Sequence, residues 1–171
     1  MDTNQLRARL QVLEGRVQTA GSALQSARVE YAEASNRAAQ ARTAAAELSV
    51  AASDSDEEAQ SVLQAQAAQY YAMAAAAQSQ ADAARQRCQA ALGELSNCRT
   101  EYVSCRAMGE QTAAALRQAE GKLGALADRK YGAAAFRNAQ VSAGQKLEFC
   151  QNLIRGCEER ISRIDRLLSE G

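Results

Sequence analysis

Cysteine is the residue type with the widest chemical repertoire in this chain, which carries Cys88, Cys98, Cys105, Cys150 and Cys157 and no histidine to act as their base or co-ligand. The pairs Cys98/Cys105 and Cys150/Cys157 are each seven residues apart, a spacing that invites metal or disulfide chemistry. On one helix, however, seven residues cover about 10 Å along the axis, whereas zinc holds its thiolates at about 2.3 Å from a common centre. No metal and no cofactor is therefore expected. Two readings of the cysteines stay open. They are small hydrophobes packed in a core, or Cys105 and Cys157, which antiparallel helices would bring to the same or a neighbouring layer, form a single disulfide. An odd count of cysteines fits reduced thiols inside a cell better than a complete disulfide framework.

Other catalytic groupings are thin. Without histidine, general acid–base work would fall to carboxylate pairs, a lysine or an activated cysteine. Glu57/Glu58 sits where a helix should begin, and Glu158/Glu159 lies among Arg155, Arg160 and Arg163, so both pairs read as solvated charge. Neither GxxxxGK[ST] nor GxGxxG occurs, and with them go the glycine-rich loops that cradle phosphates. The expectation is a protein that is not an enzyme.

The elements that would position these residues are helices. Proline, the most reliable helix breaker, is absent, and much of the 47% hydrophobic fraction is alanine, a composition that favours helix. Apolar or small residues recur at alternating steps of four and three from Leu6 through Leu10, Leu13, Val17, Ala20, Leu24, Ala27, Tyr31, Ala34, Ala38, Ala41 and Ala45 to Leu48 and Ala52. This is the heptad signature of a coiled-coil seam. The series stops at Ser53-Asp54-Ser55-Asp56-Glu57-Glu58, where Ser55 and Glu58 have capping-box spacing. A second seam runs from Leu63 to Leu126 through Tyr70, Cys88, Leu95, Cys98, Tyr102, Cys105, Gly109 and Thr112, and a third from Phe136 to Leu168 through Cys150, Ile154, Cys157, Ile161 and Ile164. A second turn is expected near Lys130-Tyr131-Gly132. The fold class is thus all-α, a long antiparallel coiled-coil hairpin with a third helix packed back on the central one. One elongated domain, 1–171, would hold helices over about 3–52, 56–129 and 134–169.

A turn near Asp54 sets Leu13 against Leu95, Leu10 against Cys98, Tyr31 against Ala77 and Ala38 against Tyr70. Bulky residues then meet small ones, the complementarity that close packing needs. The third helix should bring Ile161 and Ile164 to the level of Cys98 and Leu95, making a three-helix section there.

One stretch departs from the usual pattern of a half-exposed helix. Between Ala59 and Ala84 the only charged residue is Asp82, and Ala65, Ala68, Tyr71, Ala72, Met73, Ala75 and Ala76 lie off the seam. A helix apolar nearly all round is usually buried, whereas alanine is also simply a good helix former. These seven residues are the candidate partner-binding surface.

Twenty basic and twenty acidic residues cancel, which removes the general attraction to phosphate that nucleic acids and anionic membranes exploit. No nucleic-acid partner is expected, and a membrane-associated helical bundle is the weaker reading. No apolar run is long enough to span a bilayer, and the Met1–Leu6 segment lacks the pattern of a signal peptide. The expected location is the cytoplasm.

In architecture, an alanine- and glutamine-rich helical hairpin of this kind resembles the small WXG100-like proteins of type VII secretion. The Trp-x-Gly of that family's turn is absent, and none of Tyr31, Tyr70, Tyr71, Tyr102 and Tyr131 is followed at the fourth position by Asp or Glu. The resemblance implies an alternative function, a small helical substrate or targeting partner exported without a signal peptide. The leading expectation is a non-enzymatic coiled-coil adaptor or scaffold that binds a helical protein partner, or itself, through the uncharged face of the second helix.

Overall fold

The computed structural model describes residues 3–127 and 133–170. Its elements are α1 (Thr3–Ser53), α2 (Glu57–Ala127) and α3 (Ala133–Ser169). The chain is an all-α three-helix bundle, and no strand occurs among the described residues. The second turn, expected at Lys130-Tyr131-Gly132, lies outside the described residues, as do Asp128 and Arg129 at the expected end of the second helix.

The first turn is three residues long. Asp54 and Ser55 donate their backbone N–H groups to the carbonyls of Ala51 and Ala52 at 3.3 and 3.5 Å, and Ser55 Oγ donates back to the Ala51 carbonyl at 2.8 Å. Ser55 therefore closes α1 and does not open α2. The cap of α2 is Asp56, whose Oδ1 accepts the N–H of Ala59 at 3.0 Å while its carbonyl takes the first helical bond from Gln60 at 2.8 Å. The cap expected at Ser55 thus falls one residue later, at Asp56, and with Ala59 three residues on it is a single cap and not a box. A carboxylate outcompetes a hydroxyl as acceptor for unpaired N–H groups at a helix N-terminus, where the macrodipole favours negative charge.

The chain divides into two compact units, Met1–Gln18 with Glu94–Gly171, and Thr19–Gly93. The second of these is a two-helix hairpin whose core is almost entirely alanine: Ala20, Ala27, Ala34, Ala38, Ala41, Ala45 and Ala52 on α1, and Ala67, Ala74, Ala77, Ala81, Ala84 and Ala91 on α2, with Leu24 the one large side chain among those buried. Arg87 with Glu30 at 2.6 Å and Arg42 with Gln78 at 3.1 Å join the helices at its rim, and the falling partner numbers mark the antiparallel course.

The other unit has three helices and a heavier core, with Leu6, Leu13 and Val17 from α1, Leu95, Cys98, Tyr102, Cys105 and Ala113 from α2, and Cys150, Leu153, Cys157, Ile161 and Ile164 from α3 all buried. Each pair of helices shares an ion pair. Arg16 on α1 donates to Glu94 at 2.7 Å and Glu101 at 2.5 Å on α2, with Arg9 at 3.5 Å from Glu101. These contacts flank the expected Leu13/Leu95 and Leu10/Cys98 layers. Arg99 on α2 pairs with Asp165 on α3 at 2.5 Å, and Arg160 on α3 pairs with Glu14 on α1. Tyr102 Oη also donates to Glu14, at 3.4 Å. Arg7 stacks over the Phe149 ring at 4.3 Å, a cation–π contact between α1 and α3.

Two seam expectations are corrected. Tyr31 and Tyr70 do not sink against alanines; they are 43% and 38% exposed, whereas Tyr102 is fully buried. Two helices can enclose a methyl group between them but not a phenol ring, and only Tyr102 has a third helix to cover it. On α2 and α3, Ala113 and Leu153 are buried where Thr112 and Ile154 were expected, these two being half-buried.

Candidate interaction surface

The candidate surface is built on α2 within the two-helix unit, where the seam positions Ala67, Ala74, Ala77 and Ala81 turn inward and are buried. Helical periodicity then sends the intervening residues outward. Ala65, Ala68, Tyr71, Ala72, Met73, Ala75 and Ala76 are all exposed, with Tyr71 at 51% and Met73 at 59%. All seven candidate residues thus share the solvent side of a single helix, in the section without a third helix. The single carboxylate of the stretch, Asp82, accepts a hydrogen bond from Gln78 Nε2 at 3.2 Å, and Gln78 in turn accepts one from Arg42.

The apolar surface is wider than the sequence reading made it. Tyr70 and Met73 flank an open groove of about 470 Å³ between α1 and α2, with Ala41, Ala44 and Ala77 along its floor and Arg37, Gln40 and Gln80 on its walls. Val62 on α2 and Val29 and Val50 on α1 are also exposed. The signal for the valines was present in the sequence, since each lies off the seam in an otherwise polar or alanine-rich segment. Tyr70 was missed because its seam position suggested burial.

No family model, curated protein or solved structure matches this chain. Its chemistry therefore has to be read from its own residues.

All five cysteines are free thiols; Cys98, Cys105, Cys150 and Cys157 are buried and Cys88 is half-buried. Burial raises the thiols of Cys98, Cys105 and Cys150 above their ordinary range. The same desolvation, helped by the nearby Cys105, pushes Cys157 up to about 11. Such thiols stay protonated at neutral pH and are weak nucleophiles. Among the described residues no cluster of three or more cysteine, histidine or acidic side chains could hold a metal ion. Nor is any helix among them long and apolar enough to cross a membrane.

Several charged groups pair with each other across the helices. Hydrogen bonding to Arg16 holds Glu94 and Glu101 below the usual carboxylate range, and Arg99 does the same for Asp165. Desolvation, with the Glu14 carboxylate adding to it, raises the Tyr102 phenol. These shifts follow from ion pairs and packing that bind helix to helix, and the uncharged α2 face contributes none of them.

Proposed function

We propose that this protein is a non-enzymatic helical adaptor or scaffold, which binds a helical partner or a second copy of itself through the uncharged face of α2. One observation carries the reading: Ala65, Ala68, Tyr71, Ala72, Met73, Ala75 and Ala76 are exposed together on one helix with no lysine, arginine or glutamate among them. A surface helix normally gains solubility from charge on its outer face, and this stretch forgoes it. Small side chains let another helix approach closely, the adjoining groove beside Tyr70 can receive a side chain, and glutamine supplies hydrogen bonds without the desolvation cost of a full charge. The same proposal takes the seams to interlock as a coiled coil and the chain to work in the cytoplasm, where thiols remain reduced.

The test is the triple variant A68E/A72E/A75E. These side chains lie outside the buried seam, so circular dichroism should show an unchanged helical fold. Burying an unpaired carboxylate costs several kcal/mol, so self-association in sedimentation equilibrium, or capture of the partner that the wild type retains from its native cell, should weaken by about a hundredfold or more. The control Q118E, an exposed position outside the stretch, should change neither. Association of the triple variant at wild-type strength would place the binding surface elsewhere.

A further inference from the structure

We propose that Cys105 on α2 and Cys157 on α3 are the two halves of a reversible disulfide, a redox latch that fastens the third helix to the second. The inference goes beyond the adaptor reading and does not depend on it.

Its basis is the register of α2 against α3. At one end, a Cβ placed on Gly109 would lie 3.1 Å from both Leu153 Cδ2 and Ile154 Cγ1. At the other, Arg99 and Asp165 pair at 2.5 Å. Four residues back from Gly109 is Cys105, and four forward from Leu153 is Cys157. Three residues further on each helix are Tyr102 and Arg160, which meet on the same Glu14 carboxylate. Cys105 and Cys157 therefore lie level, about one turn from a contact on either side. Both face inward, at 0% and 1% exposure, and Cys105 is near enough to add to the upward shift of the Cys157 thiol.

Two features suit a bond there. Gly109 lets the helices approach closely one turn away, and a disulfide needs Cα atoms about 4.4–6.8 Å apart. Cys157 also lies against an open groove of about 330 Å³ between α1 and α3, beside Arg7 and Arg160, so that a local opening of these helices would present its thiol to a small oxidant. The same register sets Cys98 opposite Ile164 and Cys150 opposite Thr112, so neither of those buried thiols has a cysteine across from it.

The co-reactant is a small organic disulfide. The Cys157 thiol gives up its proton, and its sulfur attacks one sulfur of the small disulfide. The S–S bond of the oxidant breaks, and the first thiolate leaves and is protonated. The Cys105 sulfur, deprotonated in turn, attacks Cys157 in the mixed disulfide and expels the second thiolate, which also takes a proton. Two protein thiols are oxidised, one small disulfide is reduced to two thiols, and no proton is gained or lost overall. Because burial keeps both thiols protonated, the reaction is slow at neutral pH, and a small dithiol reverses it.

The experiment incubates the folded full chain with oxidised glutathione, digests it with trypsin without reductant and weighs the peptides. Cleavage at arginine and lysine puts Cys105 in 100–106, Cys157 in 156–160 and Cys150 in 147–155, while Cys88 and Cys98 share 88–99. The expected product is 100–106 linked to 156–160, formed in wild type, C98A and C150A and lost in C105A and C157A. Circular dichroism confirms that the alanine variants are folded. Oxidation should raise the thermal midpoint of the wild type by about 5 °C or more, reversibly with dithiothreitol, as expected when a long loop is closed. A bond to Cys88, Cys98 or Cys150 instead, a mixed disulfide that never resolves, or linkage only in denatured chain would overturn the proposal.

Discussion

Tyr31 on the seam of α1 and Tyr70 and Tyr102 on that of α2 all hold seam positions, yet only Tyr102 is enclosed. Periodicity assigns a residue to a seam, and the number of helices around that seam decides whether a large ring can be covered. The seam itself was legible from the spacing of apolar residues, which is why the buried alanines, leucines and cysteines of α1 and α2 fall largely where expected. What the spacing does not encode is how far α3 extends along α2. Charge placement was equally hidden, because Arg16 meets Glu94 and Glu101 only once two distant segments are brought together. That cluster has a testable pH signature. Arg16 holds both carboxyls below their usual range, so the native state keeps them ionised under acidic conditions in which the unfolded chain already binds protons. The stabilisation is present above the ordinary glutamate pKa of about 4.3 and is lost as pH falls through the depressed values. The thermal midpoint of the wild type should therefore exceed that of R16Q at neutral pH, and the gap should narrow as pH falls from about 5 to 3. A gap that stays constant or widens would show that Arg16 acts through packing alone.

At the scale of the helices, existence and direction were readable, and the details of phase were not. A straight α-helix drifts by about 20° per heptad against an ideal seven-residue repeat, and beyond Glu101, which pairs with Arg9 near the start of α1, the last third of α2 packs against α3. Burial accordingly slides from Thr112 to Ala113, and on α3 from Ile154 to Leu153. Gly109 lies where this sliding occurs, and the absence of its side chain leaves room for Leu153 and Ile154, which a Cβ there would meet at 3.1 Å. At Gly93 a Cβ would meet nothing within 4 Å. The two glycines thus separate propensity from packing. Alanine at Gly93 should raise stability by about 0.5–1 kcal/mol, the ordinary helix-propensity gain. Alanine at Gly109 collects the same gain but must displace Leu153 and Ile154, so its net effect should fall below that of G93A and become destabilising if those side chains cannot yield. Urea denaturation of both variants decides the matter, and equal stabilisation would mean that α3 does not depend on the gap at Gly109.

For the molecule as a whole, the contrast between the two compact units matters most. Burying a leucine or isoleucine side chain contributes about 1.5–3 kcal/mol, whereas each buried methylene or methyl is worth about 0.8 kcal/mol. The three-helix unit draws on Leu6, Leu13, Leu95, Leu153, Ile161 and Ile164, while the hairpin Thr19–Gly93 relies on alanines and Leu24. Helix propensity does not close that difference, since isolated helices in water are marginal and gain most of their stability from packing. The hairpin is also the section that carries the uncharged face, so it has the weakest core and the most apolar surface left to cover. Alanine content announced this in the sequence. Its energetic meaning needed the knowledge that Thr19–Gly93 packs as two helices and not three. Amides of 19–93 should therefore exchange hydrogen at least about tenfold faster than those of 94–127 and 140–165, as local stability is set by buried apolar contacts. Mass-resolved exchange on both wild type and A68E/A72E/A75E makes the comparison clean, because in the variant a bound copy cannot lend protection to the hairpin. If the hairpin of the variant exchanges as slowly as the three-helix unit, its alanine core is as stable as the leucine and isoleucine one. The case for a partner covering a weak section would then fall with it.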